Sequence, residues 1–220
     1  MFRIKICGVT TPADASHAVA CGADAIGVNF YRGSRRFVPE RAAGEIVRAV
    51  DGRATVVGVF VNESPEGIAG ICGRLGIGAV QLHGDEPPED AARLPFWRLK
   101  AVHASRPVDP EALRRYPCDA LLLDAGGPGE YGGTGRELPW DGIAARFGGA
   151  LAVPGGPGPG KPWVLAGGLT PANVQRAVAM ARPFAVDTAS GVESSPGVKD
   201  PGKVAAFIER AKAGFRDAET

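Results

Sequence analysis

Short β-rich runs and helix-like segments alternate eight times along the 220 residues, and this alternation limits the fold more than any other feature. Strands are expected over residues 3–7, 25–30, 55–61, 79–83, 97–102, 120–124, 163–166 and 184–187. Most are unbroken apolar stretches, as expected of parallel strands buried on both faces. Helices are expected over residues 12–21, 39–50, 65–75, 89–94, 110–116, 140–147, 171–181 and 201–213. Five of them announce their starts: Thr11-Pro12, Ser64-Pro65, Asp109-Pro110, Thr170-Pro171 and Asp200-Pro201. Each pair puts a capping side chain before a proline at the first helical position, where the missing N–H had no partner to lose. Gly22, Gly76 and Gly214 stand where the preceding helices should stop.

Strand-helix alternation implies parallel strands joined by right-handed crossovers. Eight such units in 220 residues fit a compact (β/α)8 barrel, the TIM-barrel architecture. An open doubly wound sheet alternates in the same way and stays as the alternative fold. No longer repeat and no linker interrupts the pattern, so residues 1–220 read as one domain with a Gly/Pro-rich loop insertion at about 154–162.

Lys+Arg 25 against Asp+Glu 24 leaves a formal charge of +1. That balance offers no electrostatic footprint for nucleic acid or an anionic membrane. No apolar stretch approaches the roughly 20 residues needed to span a bilayer, and the first residues lack the apolar core of a signal peptide. A cytoplasmic protein is the expectation. Cys7, Cys21, Cys72 and Cys118 lie far apart without a C-x-x-C pair, which argues against a zinc ribbon or a disulfide scaffold. No metal site is expected.

Active sites of such barrels lie at the carboxyl ends of the strands. The residues closing the expected strands are Cys7, Asn29, Asn62, His83, Asp124, the Gly167-Gly168 pair and Asp187. Two glycine patterns do not survive their context. Gly127-x-Gly129-x-x-Gly132 follows a strand, but no helix opens at its glycines as a dinucleotide fingerprint requires. Gly155-x4-Gly160-Lys161 has Pro162 in place of the Ser/Thr that would hold Mg²⁺, and it precedes a strand. The phosphate signal lies instead in Gly167-Gly168-Leu169-Thr170-Pro171 and in Asp187-Thr188-Ala189-Ser190-Gly191. These follow the seventh and eighth strands, where barrels commonly bind phosphate through backbone N–H groups. A phosphorylated small molecule is therefore the expected ligand.

Residues from one end of the chain to the other carry a family resemblance. Lys5-Ile6-Cys7-Gly8-Val9-Thr10, Ser34-Arg35-Arg36-Phe37, Gln81-Leu82-His83-Gly84, Leu121-Leu122-Leu123-Asp124 and Tyr131-Gly132-Gly133-Thr134-Gly135 are among the segments. Ala166-Gly167-Gly168-Leu169 and the run from Val186-Asp187 through Ser190-Gly191-Val192-Glu193 complete them. In these the chain resembles the phosphoribosylanthranilate isomerases of tryptophan biosynthesis. The 154–162 segment is longer and richer in Gly and Pro than that family usually shows, and it is expected on the side away from the site.

The resemblance implies an Amadori rearrangement of N-(5-phosphoribosyl)anthranilate to 1-(2-carboxyphenylamino)-1-deoxyribulose 5-phosphate, without a cofactor. It implies Asp124 as the acid that opens the furanose, Cys7 as the base at the sugar C2, and Arg36, ahead of Arg35, as the bidentate partner of the anthranilate carboxylate. Gly167, Gly168, Asp187, Ser190 and Gly191 complete the implied substrate-binding set. His83, a substrate ligand or a backbone-bonded strand end, stays outside the catalytic set. A thiol with its ordinary pKa near about 8.5, and an Asp124 raised by burial or by the approaching substrate carboxylate and phosphate, would give a bell-shaped pH profile, with Cys7 on its acid limb. Rivals on the same barrel are a metal-dependent epimerase, for which three histidines are few, and indole-glycerol-phosphate synthase, for which Lys5 is a poor catalytic lysine. Intact Cys7, Asp124 and phosphate loops argue against the rival of another class, a catalytically dead barrel kept as a binding or scaffold subunit. Either a monomer or a homodimer is compatible with these patterns.

Overall fold

In the computed structural model eight strands close into a barrel in chain order. They are β1 (Ile4–Cys7), β2 (Ala25–Asn29), β3 (Thr55–Phe60), β4 (Ala79–Leu82), β5 (Trp97–His103), β6 (Ala120–Asp124), β7 (Trp163–Leu165) and β8 (Ala185–Thr188). Each neighbouring pair is parallel, and β8 returns to β1 through Ile4↔Val186, Lys5↔Asp187 and Ile6↔Thr188. Closure leaves no sheet edge and decides against the open doubly wound alternative. The structure describes residues 1–103, 107, 109–125, 140, 143, 147, 151 and 160–219.

Helices α1 (Pro12–Cys21), α2 (Glu40–Val50), α3 (Pro65–Leu75), α4 (Pro88–Ala92) and α5 (Pro110–Arg115) fill the first five crossovers. Helices Val174–Ala181 and Pro201–Glu219 follow β7 and β8. The helix expected over 140–147 falls mostly outside the described residues, although Trp140, Ile143 and Phe147 are buried in the outer core.

The caps form as the side chains require. Thr11, Ser64, Asp109 and Asp200 accept from the N–H groups of Asp14, Gly67, Glu111 and Lys203. Gly22 and Gly76 end their helices in the left-handed conformation, at φ +97° and +68°. Two expectations need correction. The segment after β7 does not enter its helix at Pro171. Asn173 accepts from the Thr170 N–H (2.8 Å) and donates to the Gly168 carbonyl (3.0 Å), which stitches a turn and delays the helix to Val174. Gly214 does not stop the last helix, which runs on to Glu219. A Cβ at Gly214 would lie 3.1 Å from the Cα and carbonyl oxygen of Gln175, so this glycine serves close approach of two helices.

The two-residue strand period sorts the core into two layers. Ile4, Ile6, Ile26, Leu121 and Leu123 point outward to the helices. Ala25, Val57, Ala79, Leu99, Ala120, Leu122 and Val164 fill the barrel axis. Further along the same strands, on their inward faces, stand Cys7, Asn29, Gln81, His103, Asp124 and Asp187. The interior is therefore apolar towards the amino ends of the strands and polar at the carboxyl mouth.

A short hairpin, β9 (Glu193–Ser195) with β10 (Val198–Lys199), follows a 3-10 turn at Ser190–Val192 and was not expected. Residues 154–159 of the Gly/Pro-rich insertion lie outside the described residues. Its far flank pairs Lys161 with Leu151 and bonds the Lys161 ammonium to the Cys118 carbonyl (2.9 Å), just before β6 begins. That flank is at the amino end of the strands, away from the polar mouth. Among the described residues no helix is long and apolar enough to cross a membrane.

Candidate active site

Seven of the eight expected site residues line one cavity at the carboxyl mouth: Cys7, Arg36, Asp124, Gly167, Gly168, Asp187 and Ser190. Gly191 stands behind it. A Cβ there would lie 1.8 Å from the Leu169 carbonyl oxygen, so only glycine lets the loop after β8 close onto the loop after β7. The Thr188 hydroxyl donates to that same carbonyl at 2.7 Å and locks the two loops together. Gly167 and Gly168 both adopt positive φ, +77° and +66°. At Gly167 a Cβ would be 2.5 Å from the Ala125 nitrogen, so the turn is pressed against the end of β6.

Asp124 ends β6 and is only 4% exposed. His83 Nε2 lies 3.4 Å from its Oδ2, and the His83 Nδ1 lies 2.6 Å from the Gln81 amide nitrogen. With that amide donating, Nδ1 accepts and Nε2 carries its proton toward Asp124. The His83 main-chain N–H donates to the Phe60 carbonyl at 2.8 Å, while its imidazole faces the acid. His103, buried 5.9 Å from the His83 ring, adds its influence from β5. Burial pushes the Asp124 carboxyl up, but His83, His103 and the Ala125 N–H outweigh it and hold the group below the usual aspartate value. This corrects the expectation that burial raises Asp124, which overlooked the two imidazoles, and leaves the approaching substrate charges as the other expected cause.

Cys7, at the end of β1, is buried as a free thiol. Burial pushes it above its ordinary value, with Asp187 adding to the rise and Lys5 opposing it. The expected unperturbed thiol is therefore also corrected. Lys5, two residues earlier on the same inward face, was missed as a site residue. It is fully buried and donates to Asp187 Oδ1 at 2.9 Å. The strand period from Cys7 was the signal that could have found it.

Arg36 lies at the rim with its fork engaged. Its Nε and Nη2 donate to the two oxygens of Glu193, both at 2.7 Å, and Lys199 adds a third bond to that carboxylate at 2.9 Å. Burial pushes Glu193 up, but Arg36 and Lys199 together hold it below its usual value. Gly8 makes room for this arrangement: it sits at φ +68°, and a Cβ there would be 2.3 Å from Arg36 Cδ. Glu193 and Lys199 belong to the unexpected hairpin, which is why sequence reasoning did not place them here.

The closed barrel, with a thiol and a carboxyl facing one polar mouth, defines an enzyme of the (β/α)8 class. A family model described as N-(5'phosphoribosyl)anthranilate (PRA) isomerase matches residues 4–210. An N-(5'-phosphoribosyl)anthranilate isomerase of Neisseria meningitidis serogroup C is 46% identical over 212 residues, covering 96% of each chain. The crystal structure of phosphoribosyl anthranilate isomerase from Thermus thermophilus superposes with a TM-score of 0.83 at 37% identity, covering 96% of this chain and 98% of that one. Another phosphoribosyl anthranilate isomerase was solved in complex with reduced 1-(o-carboxyphenylamino)-1-deoxyribulose 5-phosphate. It superposes at 0.80 with 37% identity, over 97% of this chain and 100% of that one. The chain belongs to the N-(5'-phosphoribosyl)anthranilate isomerase family.

Proposed function

We propose that this barrel converts N-(5-phosphoribosyl)anthranilate to 1-(2-carboxyphenylamino)-1-deoxyribulose 5-phosphate in tryptophan biosynthesis, with Asp124 as acid and Cys7 as base. The observation that carries the division of labour is geometric. Cys7 from β1 and Asp124 from β6 open into one cavity whose far wall is the pair of glycine turns after β7 and β8.

The protonated Asp124 carboxyl gives its proton to the furanose oxygen as the C1–O bond breaks, and the anthranilate nitrogen lone pair forms C1=N. The Cys7 thiolate then takes the proton from C2. The released pair forms C1=C2, and the nitrogen regains its lone pair as the enolamine. Loss of the enol O–H proton and protonation at C1 give the ketone. An incoming phosphate and carboxylate add negative charge near Asp124, which favours its protonated form at the moment it must act. Arg36 takes the anthranilate carboxylate on the fork that Glu193 now holds. Gly167, Gly168 and Ser190 hold the phosphate, Asp187 completes the substrate wall, and Gly191 supports it from behind. This reading treats residues 1–220 as one cytoplasmic barrel domain, a monomer or a homodimer, acting on a small phosphorylated molecule.

Fluorescence of N-(5-phosphoribosyl)anthranilate, generated in a coupled assay, should decay when the purified protein is added; an unchanged signal overturns the reading. In the same assay Gly168→Val should raise KM at least about tenfold while lowering kcat less, because a side chain in the turn blocks anion approach. Inorganic phosphate should inhibit competitively. An unchanged KM in the variant would move the phosphate subsite elsewhere.

A further inference from the structure

We propose that Lys5 is the positioning residue for the proton-transfer base: Asp187 holds its buried ammonium beside the Cys7 sulfur, where it stabilises the thiolate the reaction needs. The inference rests on the reading of Cys7 as the base and extends it to a residue that does not touch the substrate.

The placement follows from the strands. Lys5 and Cys7 are two residues apart on β1 and share its inward face. In register, Cys7 stands opposite Gly27 on β2, and Lys5 stands opposite Asp187 on β8. The Lys5 ammonium donates to Asp187 Oδ1 at 2.9 Å, and its charge favours the Cys7 thiolate. Gly27 creates the space for this meeting. A Cβ there would lie 2.7 Å from Cys7 Sγ and 3.1 Å from Lys5 Nζ, so both atoms crowd over the same bare stretch of backbone.

A fully buried lysine is costly unless it is paired, and an aliphatic side chain would fill the barrel axis without that penalty. The ammonium is nonetheless retained next to the one thiol at the mouth. The other charged groups influencing Cys7 are Lys199 from β10 and Arg36 from the loop before α2. Both of these cations are bonded to Glu193. Lys5 is instead bonded to Asp187, and its ammonium faces the same Gly27 backbone as the sulfur. No proton needs to pass to Lys5: the C2 proton goes to sulfur, and the ammonium stays charged throughout.

A purely structural Lys5–Asp187 pair and a positioning pair predict different signs. Cys7 ionisation is read directly from thiolate absorbance at 240 nm, using a Cys7→Ser protein of the same background as the blank. Lys5→Met should move the Cys7 midpoint up by about one pH unit or more, a tenfold loss of thiolate at fixed pH. Asp187→Asn should move it down, because it removes the anion that disfavours the thiolate. At neutral pH Lys5→Met should also lower kcat at least about tenfold with KM within about threefold. An unmoved midpoint in Lys5→Met, a shift of the same sign in both variants, or an unchanged kcat overturns the proposal.

Should Lys5→Met fail to fold, the Lys5→Met/Asp187→Asn double variant leaves no charge of the pair buried alone. Its midpoint should lie above that of Asp187→Asn; equal midpoints overturn the proposal. Failure of the underlying reading shows elsewhere, as a Cys7→Ser protein with native kcat.

Discussion

Cys7→Ser is expected to lower kcat by about 10²–10⁴-fold, the range for loss of a general base, with KM changed by less than about threefold. A serine hydroxyl occupies nearly the same volume but ionises far less readily than a thiol. In this pocket burial opposes the anion further, as it already does for the thiol. Cys7 is small, and its partner across the strand is Gly27, so the substitution should leave the fold intact. The variant should bind substrate and inorganic phosphate as the parent does. Steady-state kinetics in the anthranilate fluorescence assay, beside a thermal melt, checks both halves of this expectation.

Asp124→Asn should cost a similar factor for a different reason. An amide has no proton of the required acidity for the furanose oxygen, so ring opening stalls before the C2 proton can be removed. The substitution keeps the shape of the strand end and its 3.4 Å neighbour His83. It removes the charge that the imidazoles of His83 and His103 now stabilise. Because the Cys7 and Asp124 variants block successive steps of one reaction, the double variant should be little worse than either single one. Multiplicative losses would show that the two groups act independently. A kcat in Asp124→Asn within about threefold of the parent would remove Asp124 from the mechanism.

Most of the barrel was legible because its signals are local. Five of the capping pairs could be read directly, and four form caps at their expected places, with Asp14, Gly67, Glu111 and Lys203 as the capped N–H groups. The fifth, Thr170-Pro171, was overruled by Asn173, whose side chain bonds both Thr170 and Gly168. That competition between two polar groups for one turn cannot be scored from spacing alone. Gly214 shows the same limit: glycine serves helix ends and helix contacts alike, and only the packed partner Gln175 decides which.

The site was legible where residues end strands and obscure where the charge depends on neighbours far away in sequence. Cys7, Asp124 and the Gly167-Gly168 turn all stand at the mouth as expected. Lys5 was passed over although the strand period places it beside Cys7. The engagement of Arg36 by Glu193, 157 residues later in the chain, has no local signature. Nor do the imidazoles of His83 and His103 that turn Asp124 in the opposite direction from burial.

Those shifts leave the catalytic pair with its protons inverted at rest. Asp124 is held below the ordinary carboxyl value, while Cys7 is held above the ordinary thiol value. Near neutrality the carboxylate is ionised and the thiol keeps its proton, whereas catalysis needs the opposite arrangement of the same single proton. The two forms carry equal charge, so their ratio does not change with pH, and the productive minority stays a fixed fraction of the singly protonated enzyme. The acid limb of the profile then belongs to Asp124 and the alkaline limb to Cys7, the reverse of the assignment expected from sequence.

The measurement that tests this account most directly is kcat/KM for N-(5-phosphoribosyl)anthranilate from pH 4 to pH 10. The account predicts a plateau from about pH 5 to about pH 8, between the ordinary aspartate and thiol values, with decline only beyond them. A rise of about tenfold per pH unit through pH 7 and 8 would mean that a lone thiol is being ionised into activity, and would contradict the paired acid and base proposed here.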